Sequence, residues 1–164
     1  SLNWTTKASS GTLVVVGIIA IIVQGGLIGP LVKKVGEMRL TLIGSGFILV
    51  ACSLLITAPK ENATINIYSA VSFLAIGAGL ITPTLRALIS KKLDVNKQGS
   101  ILSNLQGLQS LGGVLGIAMA GRVYDSFGPK SPFIAGSIIL IFMIYLIAEG
   151  KNNKSIYDQK TNLF

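Results

Sequence analysis

An all-α bundle of membrane-spanning helices is the fold class this sequence predicts, and three observations carry it. The 164-residue chain is 51% hydrophobic and only 12% charged, with a mean hydropathy of +0.70, whereas soluble domains carry about twice that charged share. Its apolar residues gather into five long runs, each near the roughly 20 residues a helix needs to cross about 30 Å of hydrocarbon. Its basic residues fall in short clusters between those runs, which fits membrane topology and not the one-faced basic patch of a nucleic-acid binder. A soluble helical bundle would need a polar face on every helix. LTLIGSGFILVACSLLITA and PFIAGSIILIFMIYLIA have almost none.

The chain opens on SLNWTTKASSG, which is polar, lacks a basic n-region and has no initiator Met. It reads as a cut from a longer chain and not as a signal peptide. The first span runs over Thr12–Val32, and Lys33, Lys34 and Arg39 then occupy a tight turn before the second, Leu40–Ala58. That second span is uniformly apolar and reads as lipid-facing. Its Cys52 is the only cysteine, so no internal disulfide forms, and it reads as a small buried or lipid-facing side chain. The third span, Asn66–Ser90, places Ser69, Ser72, Ala75, Gly79 and Arg86 on one side, with Pro83 at its margin. Pro83 removes one backbone hydrogen bond and predicts a kink, either a hinge or simple geometry. The fourth, Ile101–Gly121, gathers Ser103, Gln106, Ser110 and Gly113 in one sector, while Leu105, Leu108, Leu111 and Leu115 fill much of the other. Asn104 and Ile117 break that pattern. The fifth span is Pro132–Ala148, uniformly apolar like the second. Residues 1–149 thus form the transmembrane bundle, and residues 150–164 a polar cytoplasmic tail expected to be disordered.

Cytoplasmic loops collect Lys and Arg. With the Lys33–Arg39 turn placed inside, Arg86, Lys91, Lys92, Lys97, Lys151, Lys154 and Lys160 also fall inside. Only Lys7, Lys60, Arg122 and Lys130 fall outside. Trp4, Tyr68 and Tyr124 then lie near the outer boundary and Tyr145 near the inner one, where amphipathic rings settle. The N-terminus is outside and the C-terminus cytoplasmic, in an integral multi-pass protein of the plasma (inner) membrane.

Within lipid, small residues let helices approach closely, and Gly25/Gly29, Ala75/Gly79 and Gly112/Gly116 each stand four apart. Gln24, Gln106 and Gln109 want partners, supplied by a neighbouring helix or by a ligand in a wet cavity. Arg86 has two readings, an anchor that snorkels to the inner interface or a substrate contact. All six acidic residues lie in loops, the tail or at a span end. A proton-coupling carboxylate at mid-membrane is therefore expected outside this chain. Histidine is absent, which excludes Ser-His-Asp chemistry and histidine metal sites. The spans offer no nucleophile–base pair, so the chain does not read as an enzyme and implies no cofactor or metal.

GPLVKKVGEMR, Gly29 to Arg39, resembles the degenerate second copy of the major facilitator loop motif, which in that family follows the eighth helix on the cytoplasmic side. Lys33 stands where the first copy often has Asp, so no carboxylate switch is implied there. GAGLITPTLRALISKKLDVNKQGS resembles helix ten and its loop, and LQSLGGVLGIAMAGRVYDSFGPKSPF resembles helix eleven, its G-x-x-x-D-x-x-G turn and the start of helix twelve. The flavour is that of the drug:proton antiporter branch, with its tetracycline-efflux-like carriers.

The resemblance implies the C-terminal portion of a secondary active transporter, helices eight to twelve, working with helices one to seven of the same transporter and exporting a small, partly apolar compound by proton antiport with alternating access. It implies Gln24, Ser72, Gln106 and Gln109 as substrate-binding residues. Gly29, Lys33, Lys34, Gly36 and Arg39 would shape the cytoplasmic gate turn, and Asp125 and Gly128 the outer turn. It also implies that the second and fifth spans sit outermost. The competing reading is a truncated, non-transporting module that acts through helix–helix contacts.

Overall fold

A computed structural model describes residues 6–57, 63–91, 93 and 95–161. Trp4, Lys60, Lys92 and Asp94 lie outside the described residues. All regular structure among them is helical: α1 (Thr6–Ile22), a π-helical turn (Val23–Leu27), α2 (Ile28–Val35), α3 (Glu37–Thr57), α4 (Ala63–Ser90), α5 (Val95–Phe127) and α6 (Ser131–Thr161).

The predicted first span is one rod made of α1, the π turn and α2. Within it the Ile28 N–H reaches back five residues to the Val23 carbonyl. The sequence gives a reason for the wide turn. Pro30 cannot donate to the Gly26 carbonyl, and its ring presses against it, while Gly25 and Gly26 offer no side chain to resist widening. Gly36 alone separates α2 from α3. Its φ of 83° belongs to the left-handed region that favours glycine. The Gly36 N–H caps α2 on the Val32 carbonyl at 3.0 Å, and the Gly36 carbonyl accepts from Leu40 N at 3.1 Å. Lys33 and Lys34 fall in the last turn of α2, where cations complement the helix dipole.

The centre of the fold is the antiparallel pair α3–α4. Its contact face is built from small residues: Gly44, Ser45, Ala51, Ala70 and Gly77 are all buried. At the crossing the two backbones nearly touch. A Cβ added at Gly77 would stand 2.6 Å from the Gly44 carbonyl oxygen. Thr41 and Thr84, both fully enclosed, join hydroxyls across the pair at 3.2 Å. Thr41, Ser45 and Thr84 also return their hydroxyls to carbonyls of their own helices, so no buried polar atom is stranded. Farther along, the Phe47 and Phe73 rings stack with centroids 5.8 Å apart. Val23, Leu40 and Leu80 form the buried cluster that seats α1 and α2 on this pair.

Several expectations change here. The second span is not lipid-facing all round, because one face of α3 is buried against α4; small residues gave that face no hydropathy contrast. The close approach falls at Gly44/Gly77. At Gly25, Gly29, Gly112 and Gly116 an added Cβ would meet nothing within 4 Å. Among the described residues, four helical segments are long and apolar enough to cross a bilayer, namely Ser10–Val35, Glu37–Thr57, Thr64–Ser90 and Ser131–Glu149. α5 encloses the fourth predicted span and has length to spare at 33 residues, but its glutamines and serines keep it less apolar than those four. The tail, expected to be disordered, continues α6 as far as Thr161; no Gly or Pro interrupts it after Gly150.

Gly77→Ala should lower the thermal unfolding midpoint in detergent by several degrees, since over-packing against a backbone oxygen costs about 1–3 kcal/mol. Gly46→Ala, in a position with nothing within 4 Å, should leave it unchanged or raise it.

Candidate functional site

Along α1, Val16, Ala20 and Gln24 recur at one-turn spacing. On α4, Ala75, Ala78, Gly79, Thr82, Pro83 and Arg86 share one face. Together they line an open cavity of about 330 Å³ between the two helices. Its walls are largely apolar, and its polar groups are the Gln24 amide, the Thr82 hydroxyl and the Arg86 guanidinium. Gly79 lets the π turn come close, because a Cβ there would stand 3.2 Å from Val23 Cγ1 and 3.8 Å from Gln24 Nε2. Gln24 therefore enters the cavity from the widened turn, a feature often found at functional sites.

At one end of the cavity Arg86 reaches across to α5. Its Nη2 donates to Gln106 Oε1 and lies 3.4 Å from Gln109 Oε1. Gln106 and Gln109 are three residues apart and so share a helix face. A guanidinium only donates, so both amides must turn their oxygens toward it. Of the four sequence-predicted substrate residues, Gln106 and Gln109 meet Arg86, and Gln24 lines the same cavity as Arg86. Ser72 does neither. It bonds the Tyr68 carbonyl of its own helix at 2.8 Å and lies roughly 21 Å along α4 from Arg86. Arg86 turns its side chain toward glutamines inside the fourth predicted span.

The residues of the Gly29–Arg39 loop motif occupy the α2–α3 junction. Gly29 is exposed on α2, Lys33 and Lys34 are exposed just before Gly36, and Arg39 is exposed in the first turn of α3. The charged contact at this end is Glu37, which pairs with Lys91 just past α4. Sequence reasoning missed that pair, although Glu37 and Thr41 stand one turn apart on α3, and Lys91 lies seven residues beyond Thr84, just past the end of α4. At the opposite end Gly128, at φ 88°, makes the α5–α6 turn. Ser131 closes it through bonds to the Val123 and Gly128 carbonyls at 2.8 and 2.6 Å. Ser131 thus braces this turn, and Asp125 is exposed beside it.

The family model described as Major Facilitator Superfamily matches residues 1–117. Among curated proteins, the chain is 31% identical over 153 residues to tetracycline resistance protein, class G, of Vibrio anguillarum, covering 88% of this chain and 37% of that one. It is 29% identical over 123 residues to tetracycline resistance protein, class H, of Pasteurella multocida, covering 75% and 30%. It is 24% identical over 153 residues to multidrug resistance protein 2 of Bacillus subtilis strain 168, covering 93% and 37%. The chain therefore spans about a third of the length of these relatives. No solved structure matches it.

In a Cys52→Ser background, Arg86→Cys combined with Gln106→Cys should crosslink in membranes with a short bismaleimide. Ser72→Cys combined with Gln106→Cys should not, a contrast that gel mobility after cleavage between α4 and α5 can score.

Proposed function

We propose, from the premise that this chain belongs to the Major Facilitator Superfamily, that it is the C-terminal portion of a secondary active transporter exporting a small, partly apolar compound in exchange for protons. The observation that carries this reading is the apolar-walled cavity lined by Gln24, Thr82 and Arg86, with Gln106 and Gln109 meeting Arg86 from α5. A few convergent polar groups in an apolar recess fix a ligand's orientation while the walls take its body. The names of the relatives, resistance to tetracycline and to several drugs, fit export of such compounds. The multi-pass helical character of the chain suits the same role, and the family is one of transporters rather than enzymes.

In this reading α5 also spans the membrane, the N-terminus is outside and the C-terminus cytoplasmic in the plasma membrane. Alternating access rocks this portion against helices one to seven of the same transporter. Gly29, Lys33, Lys34, Gly36 and Arg39 shape the cytoplasmic gate turn, where the Glu37–Lys91 pair ties the α2–α3 junction to the end of α4. Gly128 shapes the outer turn beside Asp125. Pro83, which cannot donate to the Gly79 carbonyl, supplies a flexing point beside the cavity.

Inverted membrane vesicles containing the full-length protein, loaded with a preformed pH gradient, should lose that gradient when a transported compound is added. Tetracycline, ethidium and 1-naphthoate form the starting panel. For whichever moves, Gln106→Leu and Gln109→Leu should each lower kcat/KM about ten-fold, the scale of one hydrogen bond to a charged group, with the membrane content of protein unchanged. Wild-type kinetics in both variants would show the two amides to be packing residues.

A further inference from the structure

We infer that the cavity between α1 and α4 takes an organic oxyanion, a carboxylate carried on a compact apolar body, with Arg86 as its counter-charge. The inference deepens the transporter reading by naming the substrate class, and it rests on that reading only for the word substrate.

Arg86 carries a full positive charge, and among the described residues no carboxylate answers it. The recorded ion pair belongs to Lys91 and Glu37. Both bonds of Arg86 leave from Nη2 and end on neutral amides, so among the described residues Nη1 and Nε meet no acceptor. Gln106 and Gln109 spend their carbonyl oxygens on Arg86, which leaves each with its NH2 group to offer. Gln24 and Thr82, on the lining, add an amide and a hydroxyl able to donate. The polar groups that line the cavity, Gln24, Thr82 and Arg86, thus offer donors beside a cation, with the Gln106 and Gln109 amides adjoining Arg86 from α5, a surrounding that suits an acceptor-only group.

The remaining lining explains the apolar body. Val16, Ala20, Ala75 and Ala78 present no polar side-chain atom, and about 330 Å³ lies at the small end of ligand cavities. A cationic ligand would meet the guanidinium with no acid among the lining residues to offset it. A neutral ligand would leave Arg86 with no counter-charge from the described residues, a costly state where the surroundings are apolar.

The test measures binding and does not need transport. Full-length protein purified in dodecylmaltoside is titrated by equilibrium dialysis with radiolabelled 1-naphthoate, its neutral analogue 1-naphthamide and the cationic 1-naphthylmethylammonium. The expected order is naphthoate tighter than naphthamide by at least ten-fold, with the ammonium weakest. Arg86→Gln should weaken naphthoate at least ten-fold and naphthamide less than three-fold, while Arg86→Lys keeps part of the preference. Ala78→Trp, which fills the cavity, should weaken both ligands together.

A wild-type protein that binds the amide or the ammonium as well as the carboxylate overturns the inference, as does an Arg86→Gln variant that keeps the carboxylate preference. Displacement of naphthoate by equimolar phosphatidylglycerol would assign the anion site to a lipid headgroup and also overturn it. The wild-type comparison decides the matter even if every variant misfolds. Carboxylate-selective binding with no movement of any compound would leave the inference standing and sink the transporter reading. Transport of ethidium with no naphthoate binding would do the reverse.

Discussion

The contact between the Gly44 and Gly77 backbones is the constraint on which the rest of the structure depends. In lipid no hydrophobic force draws apolar helices together, so association rests on how closely their surfaces fit. Two glycines at one crossing bring α3 and α4 near enough for a side chain at either position to collide with the opposite helix. That proximity makes the other contacts possible: the Thr41–Thr84 hydroxyl pair, the Phe47–Phe73 stack and the Glu37–Lys91 ion pair. α4, held in this way, then serves two sides. One flank holds α3, and another carries the cavity that α1 closes.

The two charged contacts of α4 and its end show how position decides what a cation needs. Lys91 lies just beyond the helix and is exposed, where an ion pair adds little to stability and mainly joins two chain segments. Arg86 lies within the span, where an arginine at the centre of a membrane helix would cost about 2.5–3.5 kcal/mol. It turns toward two amides instead of an acid. Amides quiet the charge without cancelling it, so the electrostatic field of Arg86 remains available to the cavity.

Much of the fold was legible in the sequence because lipid imposes a simple rule: long apolar runs become helices, and breaks between them become turns. The glycines at 36 and 128, read as turn formers, do carry the positive φ angles. The family was legible too, from loop motifs whose order survives where individual residues drift. The α3 packing face was not, since Gly44, Ser45 and Ala51 differ from lipid-facing neighbours in size and hardly in hydropathy. Nor was the grouping of Arg86 with Gln106 and Gln109. Each could be placed on its own helix face, but which faces meet depends on a register between helices that no local pattern records. Ser72 shows the same gap from the other side. It shares a face of α4 with Arg86, yet lies several turns away, so sharing a face did not mean sharing a site.

The widened turn at Val23–Leu27 adds one residue to what would otherwise be an uninterrupted spiral. An α-helix advances about 100° per residue, so everything after the insertion is rotated by that angle relative to everything before it. The upstream segment can keep Val16, Ala20 and Gln24 aimed at α4, while the downstream segment presents Lys33 and Lys34 on an independent bearing. Were that extra residue absorbed into ordinary winding, one end of the rod would have to swivel by more than a quarter turn. A single backbone defect therefore decouples the orientation of the recess from the orientation of the basic rim.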